Sequence, residues 1–445
     1  MAGSDPEERA ARRIGPLIER ALILEGLLLL FFSEKHRIIG DGMTRFISLR
    51  LLFERGEVSD MGYSMVGPLF ATPLYWMDRL FDTPLWWSSR FNFFVFGLGL
   101  WVFSRILSRH LEPATVRKFV LLLIAASMFG RHQMDFYGEV FTAMLAGVGL
   151  WSLASGVSAW AGLALVLAVA NVPATLGGLT LAAIGASIMH RRWRLLALPV
   201  AAAALVLTES WVRRGHPLAS GYEGNAGFET VLPYSGLPGF SYPLVFGLLS
   251  IVFSFGKGLL FFSPGLFLPV RERMAQLDAR VWRGYLLWLL FLAGMALVYA
   301  KWWSWYGGWY WGPRFLLFAS IPACLALAVR LRDAPRSIGA GLLTLGALSL
   351  SAWVGVNGVV FDQAAMAACA VEDYALEFLC WYVPEFSALF RPFVELKPLV
   401  LEDWLFVSFG AITLVWLAMP VVRGVGSQIA AETAGARKRL GETRF

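Results

Sequence analysis

The 445-residue sequence is 58% apolar and 16% charged, with a formal net charge of +7. That balance excludes a soluble globular chain, and no basic soluble face of the kind nucleic acid needs is visible. It suits a protein that sits in lipid and meets anionic headgroups.

Apolar runs of about 17–25 residues recur along the chain, each long enough to cross ~30 Å of hydrocarbon. They predict helices over about 15–33, 91–107, 116–130, 138–154, 158–170, 173–189, 195–212, 243–267, 285–300, 314–328, 338–360 and 404–422. The fold class is an all-α polytopic membrane protein with about twelve transmembrane helices, one domain over 1–445. Residues 1–13 are polar and the first apolar run lacks a small-residue cleavage site, so no cleavable signal is expected. Arg outnumbers Lys throughout, which suits a bacterial source.

With the N-terminus cytoplasmic, one side receives Arg105, Arg109, Arg117 and Lys118, then Arg191, Arg192 and Arg194, then Arg271, Arg273, Arg280 and Arg283. Arg330, Arg332 and Arg336 follow, and last a basic tail, 423–445, with Arg437, Lys438 and Arg439. Every loop on that side is basic except the tight turn at 155–157, as the positive-inside rule asks. The other side receives three long loops, 34–89, 213–241 and 361–402. The first holds two amphipathic stretches, 43–54 and 65–81, suited to the interface plane.

Candidate chemistry collects on that second side, where ionisable residues near membrane depth are costly and so point to function. Asp41 stands in Ile39-Gly40-Asp41-Gly42, and fits either a turn that caps the next helix or a carboxylate opened by glycines to a ligand. Lys35, His36, Arg37 and Arg45 surround it, cations able to hold a phosphate. The short segment from Arg131 to Glu139 packs Arg131, His132, Asp135, Tyr137 and Glu139 together, which suits ligand contact or plain solvation equally. Glu209 precedes Arg213-Arg214-Gly215-His216-Pro217 and then Gly221-Tyr222. Lys257 lies in a glycine-broken apolar run, Ser254-Phe255-Gly256-Lys257-Gly258, as a snorkelling lysine or a cation at a break in the helix.

Lys301 to Trp311 carries five Trp and two Tyr, and is followed by Gly312-Pro313-Arg314. An aromatic belt at the bilayer boundary explains the rings. It explains neither Gly307-Gly308, which shape backbone, nor Pro313-Arg314, which opens the next helix with a cation. Trp305 and Tyr306 offer flat surfaces for a sugar. In the last long loop Asp362, Glu372, Asp373, Glu377 and Trp381 are available to hydroxyl groups, unless the loop forms a helix on the membrane surface. Cys369 and Cys380 share that loop and form a disulfide if it faces an oxidising compartment and no intervening helix separates them. His36, His132 and His216 lie too far apart in sequence to announce a metal site, and no H-E-x-x-H, zinc spacing or G-x-S-x-G elbow is present.

In order, Asp41, Tyr137-x-Glu139, Arg214-Gly215-His216-Pro217, Gly221-Tyr222, Gly256-Lys257-Gly258-Leu259, Ser263-Pro264, Trp305-x-Gly307-Gly308 and Gly312-Pro313-Arg314 resemble the GT-C superfamily of membrane glycosyltransferases. The nearest group is similar to the bacterial family-39-type enzymes, the protein O-mannosyltransferases and lipid A aminoarabinose transferases. The motifs span the chain as far as Arg314. The resemblance implies hexosyl or pentosyl transfer, with inversion, from a polyprenyl-phosphate sugar donor to a hydroxyl of a lipid, glycan or protein, on the outer side of a bacterial cytoplasmic membrane. Asp41 is then the catalytic base with Glu139 beside it. Lys257 and Arg314, with Arg37 and Arg131 in reserve, hold the donor phosphate. Tyr137, Asp135, His216, Tyr222, Trp305 and Tyr306 contact sugar or acceptor. Many relatives carry two adjacent acids in the first loop, whereas Asp41 stands between glycines, so a divalent cation is left open. The competing readings are a flippase or transporter of lipid-linked sugars and a polysaccharide polymerase or ligase. A transporter places polar residues along a path through the membrane, and here they gather on one face.

Overall fold

The computed structural model describes residues 6–442 apart from residue 157, with side chains over 14–434. Its regular elements are all helical among the described residues. In chain order the longer ones are α1 (Pro6–Phe32), α2 (Asp41–Arg55), α3 (Thr72–Leu80), α4 (Phe91–Leu107), α5 (Pro113–Ala125), α6 (Glu139–Ser155) and α7 (Ala159–Asn171). Then come α8 (Leu176–His190), α9 (Ala197–Arg214), α10 (Leu244–Phe253), α11 (Ala279–Tyr299), α12 (Ser320–Arg330), α13 (Ile338–Val360) and α14 (Leu401–Glu442). Five segments, Ser88–Leu107, Trp193–Arg214, Ala279–Tyr299, Ile338–Val360 and Leu401–Ala434, are by themselves long and apolar enough to cross a membrane. The turn residue Val157 and the side chains of Arg437, Lys438 and Arg439 lie outside the described residues.

α6 packs against α4, α7 and α11, and α12 against α5. Every residue of α12 is buried. A helix that is apolar all round belongs inside the bundle, and α12 begins just after the aromatic stretch, so that stretch is rooted in the centre of the molecule. On the opposite flank α13 and α14 pair closely, and Leu405, Ile412 and Val415 of α14 stay exposed, as a lipid-facing surface does.

Two expected helices run well past their bounds, α1 from Pro6 and α14 to Glu442, and three others are interrupted. The run expected as one helix over 243–267 stops at Phe253 and resumes as short turns, Leu259–Phe262 and Pro264–Phe267. The 381 carbonyl accepts from the Gly256 amide at 3.0 Å, so the chain leaves the helical ladder there, and Pro264 supplies no donor to restore it. The helix expected to run to residue 130 ends at Ala125, because Ala126 is non-helical, and a separate turn spans Phe129–His132. The helix expected from Arg314 begins as a 3-10 turn, Arg314–Ala319, before α12.

The amphipathic stretches of the first loop do not simply lie on the membrane. Phe46 and Leu49 of α2 and Tyr75 of α3 form a buried cluster with Phe91, Phe136 and Phe141, while Phe70, Trp76 and Phe81 remain exposed. The last long loop is a chain of short 3-10 turns with one α-helical turn, Leu379–Tyr382, rather than a surface helix. Its cysteines are joined, Cys369 to Cys380, with Cα atoms 6.1 Å apart.

The two loop sets assigned by charge meet within themselves. On the basic side Arg117 pairs with Glu19 at 2.5 Å, His110 with Asp278 at 2.7 Å and Arg332 with Glu112 at 2.6 Å, and Arg273 donates to the Arg330 carbonyl at 3.0 Å. On the other side residues from 33–67, 131–139, 209–222, 256–258, 301–315 and 361–403 interlock.

Candidate functional site

Asp41 is the first residue of α2, and its side chain makes no helix-capping bond. The carboxylate points instead to Arg314, whose Nη2 lies 2.6 Å from its Oδ2. Gly40 makes this possible. Its backbone sits at φ +52°, and a Cβ there would stand 2.6 Å from the Tyr137 hydroxyl. Burial alone would push the Asp41 carboxyl up, but Arg314 beside it, with hydrogen bonds from Tyr63 and Arg314, holds it below the ordinary aspartate value. Asp41 is therefore a carboxylate near neutral pH, with 27% of its side chain exposed. Burial, with Asp41 alongside, pushes the Tyr63 hydroxyl up, keeping it a proton donor.

Arg314 is gripped on several sides. Its guanidinium lies 4.9 Å from the Tyr137 ring, 5.0 Å from Phe315 and 5.7 Å from Tyr310. Glu139 Oε1 is 3.9 Å from its Nε, while Glu139 Oε2 is buried with no partner. Gly307, at φ +80°, lets the aromatic stretch double back over this side chain, since a Cβ there would stand 2.8 Å from Arg314 Cγ. Arg45 closes the far side, bonding Asn171 Oδ1 at 3.2 Å and the Ser64 carbonyl at 3.3 Å. Tyr222 stands edge-on to Tyr63, and burial raises its hydroxyl to about 12. Asp41, Tyr63, Tyr137, Glu139, Tyr222 and Arg314 thus surround one partly open spot: a carboxylate, a guanidinium with spare donors, and hydroxyl groups between them.

The other expected site residues are engaged elsewhere. Lys257, 1% exposed, spends its ammonium on three carbonyls of the aromatic stretch: Tyr310 at 2.5 Å, Gly312 at 3.0 Å and Gly308 at 3.4 Å. Three donors meet three acceptors, so in this arrangement it has none for a phosphate. Trp305 and Tyr306, each 2% exposed, are covered on their faces rather than open to a sugar. Tyr306 packs at a tilt against Trp381, ring centroids 3.8 Å apart, and donates to Glu377 at 2.7 Å, and Trp305 packs on Trp381 and Tyr382. His216 lies in an exposed loop, where its Nδ1 accepts from the Leu218 amide at 3.2 Å. Arg37, Arg131 and Asp135 belong to a separate ionic cluster that includes Asp362. His132 is buried, and that burial lowers it to about 3.

Tyr63, Tyr310 and Asn171 carried no usable sequence signal. Tyr310 was one ring among many, and Asn171 ends an apolar helix that gives no hint that its amide donates to the Gly138 carbonyl at 2.8 Å. Among the described residues no three His, Cys, Asp or Glu side chains converge to hold a divalent cation. No step below runs through a metal.

No protein-family model and no curated protein matches the chain. Among solved structures it is similar to ArnT from Cupriavidus metallidurans bound to undecaprenyl phosphate, with TM-score 0.50 and 15% identity over 90% of this chain and 77% of that one. The apo state of the same protein matches with TM-score 0.50 and 15% identity over 93% and 78%. At that identity the likeness is one of fold alone.

Proposed function

We propose that this chain transfers a sugar from a polyprenyl-phosphate carrier to an acceptor hydroxyl, with Asp41 as general base and Arg314 receiving the phosphate. The observation that carries this is the Asp41–Arg314 pair, partly exposed at the carboxylate and flanked by Glu139 and Tyr137, on a fold similar to that of ArnT solved with undecaprenyl phosphate. The acceptor oxygen gives its proton to the Asp41 carboxylate as it bonds to the anomeric carbon. The bond from that carbon to the phosphate oxygen breaks on the opposite face, so the sugar inverts and the lipid phosphate departs with the electron pair. A guanidinium set where that charge develops stabilises the departure. Arg314, held against Asp41 in the resting site, has forked donors enough to keep the carboxylate and meet a phosphate. Tyr137, Tyr63 and Tyr222 line the space for the sugar, and Glu139 orients Arg314 from behind. The basic opposite face and the Cys369–Cys380 disulfide support an active face outside the cytoplasmic membrane.

The test is transfer from a radiolabelled polyprenyl-phosphate sugar by the purified protein in vesicles. Asp41→Asn is expected to lower transfer by about 10²–10⁴-fold while membrane insertion and donor binding persist. An Asp41→Asn protein that still transfers removes Asp41 as the base. Movement of donor between leaflets without consumption replaces the whole reading with a flippase.

A further inference from the structure

The steps above leave unused the largest ionic cluster on the loop face. Arg37 and Arg131 each reach both Asp135 and Asp362. Arg37 Nε lies 3.2 Å from Asp135 Oδ1, and its Nη2 lies 2.5 Å from Asp362 Oδ2. Arg131 Nη1 lies 2.7 Å from Asp135 Oδ2, and its Nε lies 2.5 Å from Asp362 Oδ1. The two carboxylates are not equivalent. Asp135 is fully buried and accepts the Tyr310 hydroxyl at 2.6 Å, and Asn92 holds its carbonyl at 2.6 Å. Asp362 is 23% exposed, enters from the loop after α13, and has its backbone at φ +54°, a conformation that residues with a Cβ rarely adopt. Arg131 Nη2, meanwhile, is buried with no partner.

We infer that Arg37 and Arg131 form a phosphate-binding site in which the Asp362 carboxylate is a resident stand-in, displaced when a phosphate monoester or diester arrives. With Asp362 withdrawn, two guanidinium groups face one carboxylate, Asp135, and the site is left net positive. Paired guanidinium forks match phosphate oxygens in geometry as well as charge. A phosphate also brings more acceptor oxygens than a carboxylate, enough to occupy Arg131 Nη2, and an unpaired buried donor of this kind calls for an explanation. Asp135, tied to Tyr310 and Asn92, stays as the fixed floor. Asp362 can leave, because Arg37 and Asp362 form the exposed rim, with 36% and 23% of their side chains accessible. Between Asp362 and the buried, disulfide-held Cys369 the chain is a short run of 3-10 turns, and Glu372, Asp373 and Tyr374 beyond it are also at positive φ. Asp362 can thus swing out with few regular backbone bonds broken, while the disulfide anchors the segment behind it. The Tyr310 ring lies 5.1 Å from the Arg131 guanidinium and 5.7 Å from that of Arg314, which sets this site next to the Asp41 site. The inference rests on the transferase reading only for the arrival of a lipid phosphate on this face.

The test is binding to the full chain in lipid nanodiscs, with inorganic phosphate in one arm and polyprenyl phosphate in the other. Asp362→Asn is expected to tighten phosphate binding about tenfold, a free-energy difference of about 1.4 kcal/mol, and the gain should vanish in Arg37→Gln/Asp362→Asn. A gain in both arms assigns the site to the phosphate group itself, and a gain with the lipid alone assigns it to a lipid headgroup. Unchanged or weaker binding by Asp362→Asn in both arms overturns the inference. Should that variant fail to fold, amide exchange over 362–374 in the unmodified chain decides: added phosphate should speed it, and no change overturns the proposal. The transferase reading fails separately, on an active Asp41→Asn.

Discussion

Both faces of the molecule are rich in buried or half-buried cations, yet they use them differently. On the basic face Arg330 donates to Thr344 Oγ1 at 2.8 Å and the Ala340 carbonyl at 2.7 Å, and Lys118 donates to the Leu331 carbonyl at 2.7 Å. Such bonds tie helix to helix and helix to loop end. Arg332 Nε and His190 Nε2 lack partners on this face too, but among the described residues no half-buried carboxylate pair opens beside them. On the other face Arg314 and Arg131 sit among carboxylates and aromatic rings, and buried polar atoms remain without partners: Arg131 Nη2, Arg314 Nε and Glu139 Oε2. A count of cations therefore reports topology, whereas unspent hydrogen-bonding capacity next to an opening reports where a ligand goes.

Lys257 is the exception that tests this contrast, since it stands on the loop face and is used as the basic-face cations are. Lys257→Met leaves three buried carbonyls without a donor and is expected to destabilise the protein by about 3 kcal/mol, read as a lower melting temperature in detergent. If it weakens donor binding with no loss of stability, Lys257 is a phosphate ligand after all and the contrast breaks. Arg314→Ala is expected to weaken donor affinity about tenfold to a hundredfold, the cost of a hydrogen-bonded charge. Arg314→Lys should restore little of it, because an ammonium cannot fork between Asp41 and a phosphate. Equal donor affinity in all three proteins would return the aromatic stretch to an anchoring role.

Glu377 gives a smaller effect with a definite sign. Burial raises it to about 7, and the Tyr306 hydroxyl opposes the shift in part. The native state thus holds a proton that the unfolded chain releases at lower pH. Its contribution is fully present below the ordinary glutamate value and is lost as pH rises toward 7, on the order of 1 kcal/mol. Thermal melts between pH 5 and pH 8 should show that decline, and Glu377→Gln should flatten it. The smallest effect is expected on the basic face. Arg336, exposed and paired with Glu272 at 3.0 Å, should change stability by less than about 0.5 kcal/mol when replaced by Ala, with transfer untouched. A large loss of transfer there would show that the two faces are coupled.

Much of the fold was legible because burial in lipid demands long apolar helices and leaves charge bias in the loops. The segments over 91–107 and 338–360 have the expected bounds. The broken run after Phe253 was harder, since a glycine in an apolar segment fits a close approach within a helix as well as a break. The Cys380–Trp381 backbone that settles it is more than a hundred residues away. Within the candidate site Asp41 and Arg314 could be singled out from local context, glycines around an acid and a Pro-Arg at a helix start. Their contact at 2.6 Å could not.

The sequence by itself determined the class of the molecule and the grouping of its loops into two sets, because those follow from composition and from periods of charge and hydropathy. Tertiary structure alone decided which cations are already spent. Lys257, Arg37 and Arg314 look alike in the sequence, and only packing assigns one to backbone carbonyls, one to a carboxylate ring and one to the half-open carboxylate. The physical reason is that a charge in a low-dielectric setting must be satisfied by whatever the fold brings within about 3 Å, and that distance is not written in spacing along the chain.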